Sequence, residues 1–242
     1  MNYDLKNYFK YNSPFTANDL YNFYREFGED LNPNTLRWRI YTLKEKGIIS
    51  SIKRGVYILE EKSTFPYTIS KDMKRIFNFV NRRVNYTNMC IWNTLYLHDF
   101  MNHQPLNNIT IFEVDRDMLN VVFQMLKEKY NNVYLNPDAN QIEDYILNDN
   151  TIVIRPLLKD SPIIKKENLK IPKIEKILVD LFFDNNLLIS YKGNEMINIF
   201  DNIFQMYSVN LTTLYNYSKK RGIYNKIKYF LIYNTHINNK YL

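Results

Sequence analysis

At 242 residues, 45% hydrophobic and 16% aromatic with 21 Tyr and 15 Phe, the chain carries enough apolar surface for a sizeable core, which excludes a disordered polymer. Its one cysteine, Cys90, leaves no intrachain disulfide and no Cys-based zinc site, no apolar run approaches the roughly 20 residues of a membrane span, and the opening MNYDLKNYFK has no signal-peptide core, so the expectation is a cytoplasmic protein with no membrane partner. The formal net charge of +7 suits nucleic acid or an acidic protein surface.

A short first helix is predicted over residues 4–10, with Leu5, Tyr8 and Phe9 inward. Thr16 then precedes ANDLYNFYREFG, in which Leu20, Phe23, Tyr24 and Phe27 recur at helical spacing before Gly28. That pattern is a Thr-capped helix with a glycine stop. Asn32 as N-cap and Pro33 as first helical residue open a second helix, TLRWRIYTLKEK, which meets no breaker until Gly47. On its wheel Leu36, Ile40 and Leu43 gather on one side, while Asn34, Arg37, Trp38, Tyr41 and Glu45 spread over the other. Beyond Gly47, IISSIK and VYIL read as two short strands joined by a basic tip, Lys53, Arg54 and Gly55. Helix, helix, helix and hairpin make a winged helix-turn-helix domain over residues 1–60.

Residues 31–55 hold six cations, Arg37, Arg39, Lys44, Lys46, Lys53 and Arg54, against the single acid Glu45. A helix fits the major groove of double-stranded DNA, where Arg pairs with guanine and Asn with adenine. Asn34, Arg37, Trp38 and Tyr41 are therefore the candidate base readers. Lys53 and Arg54 at the wing tip would hold phosphates or the minor groove, with Thr35 and Lys44 doing likewise from the helix. Two other readings stand beside this one: winged helices also dock proteins, and Trp38 can pack against the following domain. Leu43, Gly47 and Ile49 followed by Arg54-Gly55-Val56-Tyr57 resemble the N-terminal domain of AbiE-type antitoxins, the abortive-infection type IV family. The resemblance implies a transcriptional regulator that binds an operator.

Residues 61–70, with Ser, Thr and Pro66 among mixed charges, are read as a linker, and residues 71–242 as the second domain. Ser70 caps a predicted helix over 71–83, which carries Met73, Ile76, Phe77 and Val80 on one side. Its cations, Lys71, Lys74, Arg75, Arg82 and Arg83, either extend a DNA footprint or are simply solvated. Strand MCIW, a helix over 94–102, strand ITIFEV, a helix over 115–129 and strands VYL and TIVIRPL alternate as in an α/β sheet domain. From Pro172 onward KIEKILVDLFF, EMINIFDNIFQMYS, LTTLYNYSKKRG and IYNKIKYFLIY form a helical C-terminal bundle, so the fold class is α+β. This order, with Glu175, Lys176, Leu178, Val179 and Asp180 in IPKIEKILVDLFFD, resembles the degenerate nucleotidyltransferase-like domain of the same antitoxin families. It implies a non-catalytic effector domain and a cognate nucleotidyltransferase toxin as partner.

The residues argue in the same direction. An active nucleotidyltransferase needs a Gly-Ser turn before its paired aspartates; that turn is absent, and no glycine occurs between Asn85 and Asn150. Glu113, Asp115 and Asp117 in IFEVDRDML can form a metal pair on a strand, or Asp115 can cap the helix that follows, with Asp117 favoured in its first turn by the helix dipole. His98 and His103 do not have HExxH spacing, and Pro137-Asp138 with Glu143 lacks the lysine a PD-(D/E)xK nuclease requires. Glu175 and Asp180 flank a core stripe and are expected to pair with Lys173 or Lys176. The tail from Ser218 has Lys219, Lys220, Arg221, Lys226, Lys228 and Lys240 and no acid, which suits DNA, RNA, an acidic toxin surface or a solvated face.

The expected function is a DNA-binding regulator that represses its own operon and counters a nucleotidyltransferase toxin, without catalytic residues, metal or cofactor. One winged helix reads only a few base pairs, so a homodimer or cooperative binding on DNA is expected. The alternatives are a diverged nucleotidyltransferase enzyme centred on Glu113 to Asp117, and a winged-helix protein-interaction module.

Overall fold

Thr16 ends a strand and caps a helix at the same time, and the N-terminal unit is built outward from it. The computed structural model describes residues 5–9, 14–59, 64–84, 88–146 and 151–237, with only the backbone described at Lys6, Ile52, Lys53, Asp144 and Tyr145. Helix α1 (Leu5–Tyr8) precedes strand β1 (Phe15–Thr16), helices α2 (Ala17–Glu26) and α3 (Pro33–Glu45), and strands β2 (Ile49–Lys53) and β3 (Val56–Leu59). The Thr16 hydroxyl accepts the Asp19 amide at 3.2 Å while the Asp19 carboxylate accepts the Thr16 amide at 2.7 Å, a complete capping box. Asn32 Oδ1 accepts the Thr35 amide at 2.9 Å and Pro33 occupies the first turn, so α3 starts where its sequence signals place it. The three strands pair antiparallel in the order β1-β3-β2. Their inner face, with Leu20, Phe23, Tyr24 and Ile40 from the helices, closes a core separate from that of the rest of the chain.

Two expectations for this unit change. Phe15–Thr16 is a strand, paired to Tyr57 and Val56, that the sequence did not reveal. Tyr8 does not point inward: its ring lies against the edge of Phe23 while its hydroxyl stays at the surface and donates to Glu26 at 2.7 Å, and 41% of the residue is exposed. A phenol keeps its polar end wet when a partner stands at the rim. The flanks of the helix predicted over 4–10 lie outside the described residues.

The larger unit opens with α4 (Lys71–Asn81), capped by Ser70 as expected, then β4 (Met89–Asn93), α5 (Leu95–His98), β5 (Ile109–Val114), α6 (Leu119–Lys127), β6 (Val133–Leu135), α7 (Ala139–Gln141) and β7 (Thr151–Pro156). Strands β5, β7 and β6 run parallel and β4 runs antiparallel at the edge, giving the order β4-β5-β7-β6. A hairpin of β8 (Ile163–Lys166) and β9 (Leu169–Pro172) leads into α8 (Ile174–Phe183), α9 (Asn194–Met206), α10 (Leu211–Lys220) and α11 (Tyr224–Tyr233). The chain is thus mixed α+β, with small sheets and a helical C-terminal region. Alternation along β5 sends Phe112 toward Phe77 of α4 and Glu113 toward Lys176 of α8, so helices cover both faces of the four-stranded sheet.

The helix predicted over 94–102 shrinks to Leu95–His98. The Phe100 and Met101 amides still turn back to the Leu97 and His98 carbonyls at 3.1 Å, but Glu195 of α9 accepts the Asn102 and His103 amides at 2.9 and 3.0 Å, so a tertiary acceptor takes the backbone where a further turn would follow. Asp115 does not cap the next helix either. Its carboxylate accepts the Asn88 amide at 3.0 Å, and a 3-10 turn over Arg116–Met118 precedes α6. The β8–β9 hairpin was not anticipated, because its two turn residues, Glu167 and Asn168, adopt φ of 48° and 66° without the glycine that usually marks such a turn. Of the expected linker, residues 61–63 lie outside the described residues, while Phe65 is buried against Tyr67, Tyr96, Phe100 and Tyr207.

Because the Thr16 hydroxyl is the acceptor that caps the Asp19 amide, Thr16→Ala should lower stability by about 1 kcal/mol, read as a reduced denaturation midpoint with unchanged slope.

Candidate nucleic-acid interface

One stripe of α3 faces solvent. Asn34 and Arg37 are exposed and adjacent, with Asn34 Oδ1 3.5 Å from Arg37 Nη1, while Trp38 and Tyr41 are 65% and 60% exposed. Packing of Trp38 on the second unit is therefore overturned: the ring is presented outward. The stripe exists because Leu36, Ile40 and Leu43 commit the opposite side of α3 to the core. Arg54 is exposed in the two-residue turn between β2 and β3, beside Gly55 at φ 75°, where a side chain would be strained. The Lys53 side chain lies outside the described residues.

The remaining two candidates sit differently. Thr35 is half-buried, and its amide is spent on the Asn32 cap. Lys44 lies along the edge of the stripe, one heptad past Arg37, and its ammonium donates to Ser51 Oγ at 3.1 Å, tying the last turn of α3 to β2. Burial depresses the Lys44 ammonium below the usual lysine range. Arg39 is also drawn inward, ion-paired with Glu29 and stacked 4.4 Å over the Tyr24 ring, where it locks α3 against α2. Glu45, the one acid of the segment, is held by Lys173 at 2.9 Å through both carboxylate oxygens. Its negative charge is thus neutralised from outside the segment.

The other basic groups singled out in the sequence are more engaged. Lys74 pairs with Glu167, Arg75 with Asp72, Lys220 with Asp160 and Arg221 with Asp180, while Arg83 stacks 4.0 Å over Phe79. Lys226 and Lys228 are exposed, and Lys240 lies outside the described residues. The histidines are likewise dispersed: His98 meets the Tyr191 hydroxyl at 2.9 Å, His103 pairs with Glu195 and His236 with Asp201.

The acidic candidates lead to a feature that sequence reading missed. Glu113 is buried on β5 directly opposite Cys90 on β4 and Arg155 on β7, and its carboxylate receives Lys176 Nζ at 2.5 Å. Lys176, itself fully buried, also donates to Asp180 at 2.6 Å, one helical turn on. Asp180 accepts the Tyr217 hydroxyl at 3.0 Å and pairs with Arg221 at 2.7 Å. Glu113, Lys176, Asp180 and Arg221 form a neutral quartet between the sheet, α8 and the end of α10. Burial pushes the Glu113 carboxyl upward against the pull of Lys176. For Asp180 burial acts in the same sense, but the Lys176 and Arg221 charges outweigh it and hold the group below its usual range. Burial opposes the Lys176 charge, yet Asp180 and Glu113 keep that ammonium protonated well above its normal range. Nearby, Arg155 ion-pairs with the buried Asp184, whose carboxylate also accepts the Asn186 and Leu187 amides. The available signal was a lysine and an aspartate at i and i+4 inside an otherwise apolar stripe, where a solvated face would not put them.

Of the expected pairings, Asp180 with Lys176 is present, whereas Lys173 reaches Glu45 and Glu175 accepts the Asn210 amide at 2.7 Å. Asp117 sits exposed in the 3-10 turn, on a different element from Glu113. Glu113 through Asp117 therefore do not converge on one point. Asp138 caps α7 through the Gln141 amide at 2.9 Å, and Glu143 is exposed one turn later.

Removing one member of a buried ionic group strands its partners, so Lys176→Met should destabilise the fold by about 3–5 kcal/mol in urea or thermal unfolding. Adding Glu113→Gln to that variant should restore a large part of the loss, since Asp180 keeps Arg221 and Tyr217; an additive further loss would disprove the ionic account.

No curated protein matches the chain. A family model does, over residues 35–237, a span that runs from the first turn of α3 through the hairpin, the four-stranded sheet and the C-terminal helices. On that match the chain belongs to DUF6577, a family of unknown function.

Proposed function

We propose that the chain is a transcriptional regulator that binds double-stranded operator DNA through its N-terminal unit, in the manner of a type IV antitoxin. The observation that carries this reading is the outward stripe of Asn34, Arg37, Trp38 and Tyr41 on α3, which follows α2 after a short loop and precedes a hairpin with Arg54 at its tip. The element order of helix, strand, helix, helix and hairpin, with sheet order β1-β3-β2, supports reading this unit as a winged helix. In such a unit the second helix enters the major groove and the wing follows the backbone. Asn34 and Arg37 supply base-edge hydrogen bonds, Trp38 and Tyr41 supply apolar contact, and Arg54 with Lys53 supplies phosphate contacts. Residues 71–242 act as a nucleotidyltransferase-like effector domain without catalysis, a cytoplasmic partner for a cognate toxin and for a second copy on the operator. What supports the non-catalytic reading is the prior engagement of the acids a metal pair would need, Glu113 by Lys176 and Asp115 by Asn88.

Fluorescence polarisation with the DNA upstream of the chain's own coding region tests the proposal, and salt-sensitive binding is the expected result. Arg37→Ala should relax sequence preference by about 1–3 kcal/mol at one base position, whereas Arg54→Ala should weaken all sequences alike and lower the salt slope by about 1. Absence of salt-sensitive binding to that DNA would sink the regulator reading in favour of a protein-docking module.

A further inference from the structure

Between the two units lies a cavity of about 280 Å³ on which Lys44 of α3, Lys166 at the end of β8 and Lys173 before α8 all border. Among the described residues, the hydrogen-bond partners of Lys44 and Lys166 are neutral oxygens. Lys44 donates to Ser51 and Lys166 donates to the Tyr67 carbonyl at 2.8 Å, and neither ammonium pairs with a carboxylate among the described residues. Lys173 is the third, and its charge is taken by Glu45. Glu175 forms part of the wall, but its Oε1 is engaged by the Asn210 amide at 2.7 Å, and burial pushes its carboxyl upward.

We infer that this cavity is a binding site for a small phosphate monoester, held by Lys44 and Lys166 and competing with Glu45 for Lys173. A lysine ammonium taken partly out of water and hydrogen-bonded to a neutral oxygen, with Glu45 near Lys44 and Glu167 near Lys166 acting only at a distance, is an arrangement that a directly bound dianion improves, and lysine suits phosphate as a point charge. The volume lies just below the lower end of ordinary ligand pockets, which limits the ligand to a few heavy atoms beyond the phosphate. Tyr67, whose ring lies 5.8 Å from Lys166 Nζ, offers an apolar wall to a short carbon stem. Glu45 is the built-in rival: it already occupies Lys173 with both oxygens, so ligand and carboxylate exchange on one ammonium, and occupancy loosens a charged tie between α3 and the larger unit. The inference does not depend on whether the N-terminal unit reads DNA.

Isothermal titration of the full chain with glycerol 3-phosphate, and separately with orthophosphate, at fixed ionic strength and without DNA tests this. Saturable binding is expected for both, tighter for the ester. Lys166→Gln and Lys44→Met should each weaken it by about tenfold, the scale of one charge-assisted hydrogen bond. Thermal melting of each variant separates lost binding from lost folding, and a variant that fails to fold is replaced by Lys166→Met. Glu45→Gln is the decisive arm: freeing Lys173 should tighten binding several-fold, an effect no merely structural ion pair produces. Absence of saturable heat from both ligands, lysine variants that bind like the unaltered chain, or unchanged or weaker binding by Glu45→Gln would each overturn the inference.

Discussion

A fully buried lysine organises this molecule. Lys176 sits in the first turns of a helix whose inward positions are mostly apolar, and its ammonium can leave water only because Glu113 and Asp180 meet it at 2.5 and 2.6 Å. Glu113 belongs to the centre of the sheet and Asp180 is shared with Tyr217 and Arg221 near the end of α10. The requirement that every charge in the quartet find its opposite fixes the rotation and translation of α8 over β5 far more narrowly than apolar packing does, since hydrophobic contacts tolerate sliding. Once α8 is fixed, so is Lys173 at its N-cap, and Lys173 holds Glu45 at the last turn of α3. The position of the exposed stripe relative to the sheet follows from that chain of contacts.

What the sequence disclosed and what it withheld divide along the range of the forces involved. Helices α2 and α3 were legible to within a residue because Thr16, Asn32 and Pro33 act on amides only three positions away, and the β2–β3 hairpin because Gly55 marks its turn. The outward stripe on α3 followed from periodicity alone. The truncation of α5 was invisible, because the acceptor that captures the Asn102 and His103 amides is Glu195, nearly a hundred residues away. The β8–β9 hairpin was invisible because Glu167 and Asn168 pay the cost of positive φ without the residue type that advertises it. The quartet is half visible: the sequence places Glu175 and Asp180 beside a core stripe with Lys173 or Lys176 as partners, and only the sheet above them makes the Lys176–Asp180 pair a buried one joined to Glu113.

The same distinction governs the candidate interface. Composition gives the segment from 31 to 55 six cations, yet they are not six equivalent charges. Arg39 is consumed by Glu29 and Tyr24, and Lys44 is half-buried against Ser51. At physiological salt, exposed charges act over roughly 8 Å, so a cation committed to its own fold contributes little to a distant phosphate. Counting residues therefore overstates the field that α3 and the hairpin present.

On the DNA-binding reading that arithmetic has a consequence for assembly. Arg37 and Arg54 are the exposed arginines of the stripe and the tip, with Lys46 beyond the end of α3 and Lys53 beside Arg54 in sequence. Each phosphate neutralised contributes about 0.9 to the slope of log affinity against log salt, so a unit with a few such contacts binds DNA weakly at cellular ionic strength. Trp38 and Tyr41 add apolar contact, which discriminates thymine methyl groups but does not replace the electrostatic term. Affinity sufficient for an operator then comes from coupling two such units on one site, where the second binds at the effective concentration set by the first. Effective coupling demands a stiff connection between the heads, and a neutral, fully paired quartet that locks α8, with Lys173 anchoring α3, is a stiff connection in a way that a solvated linker is not.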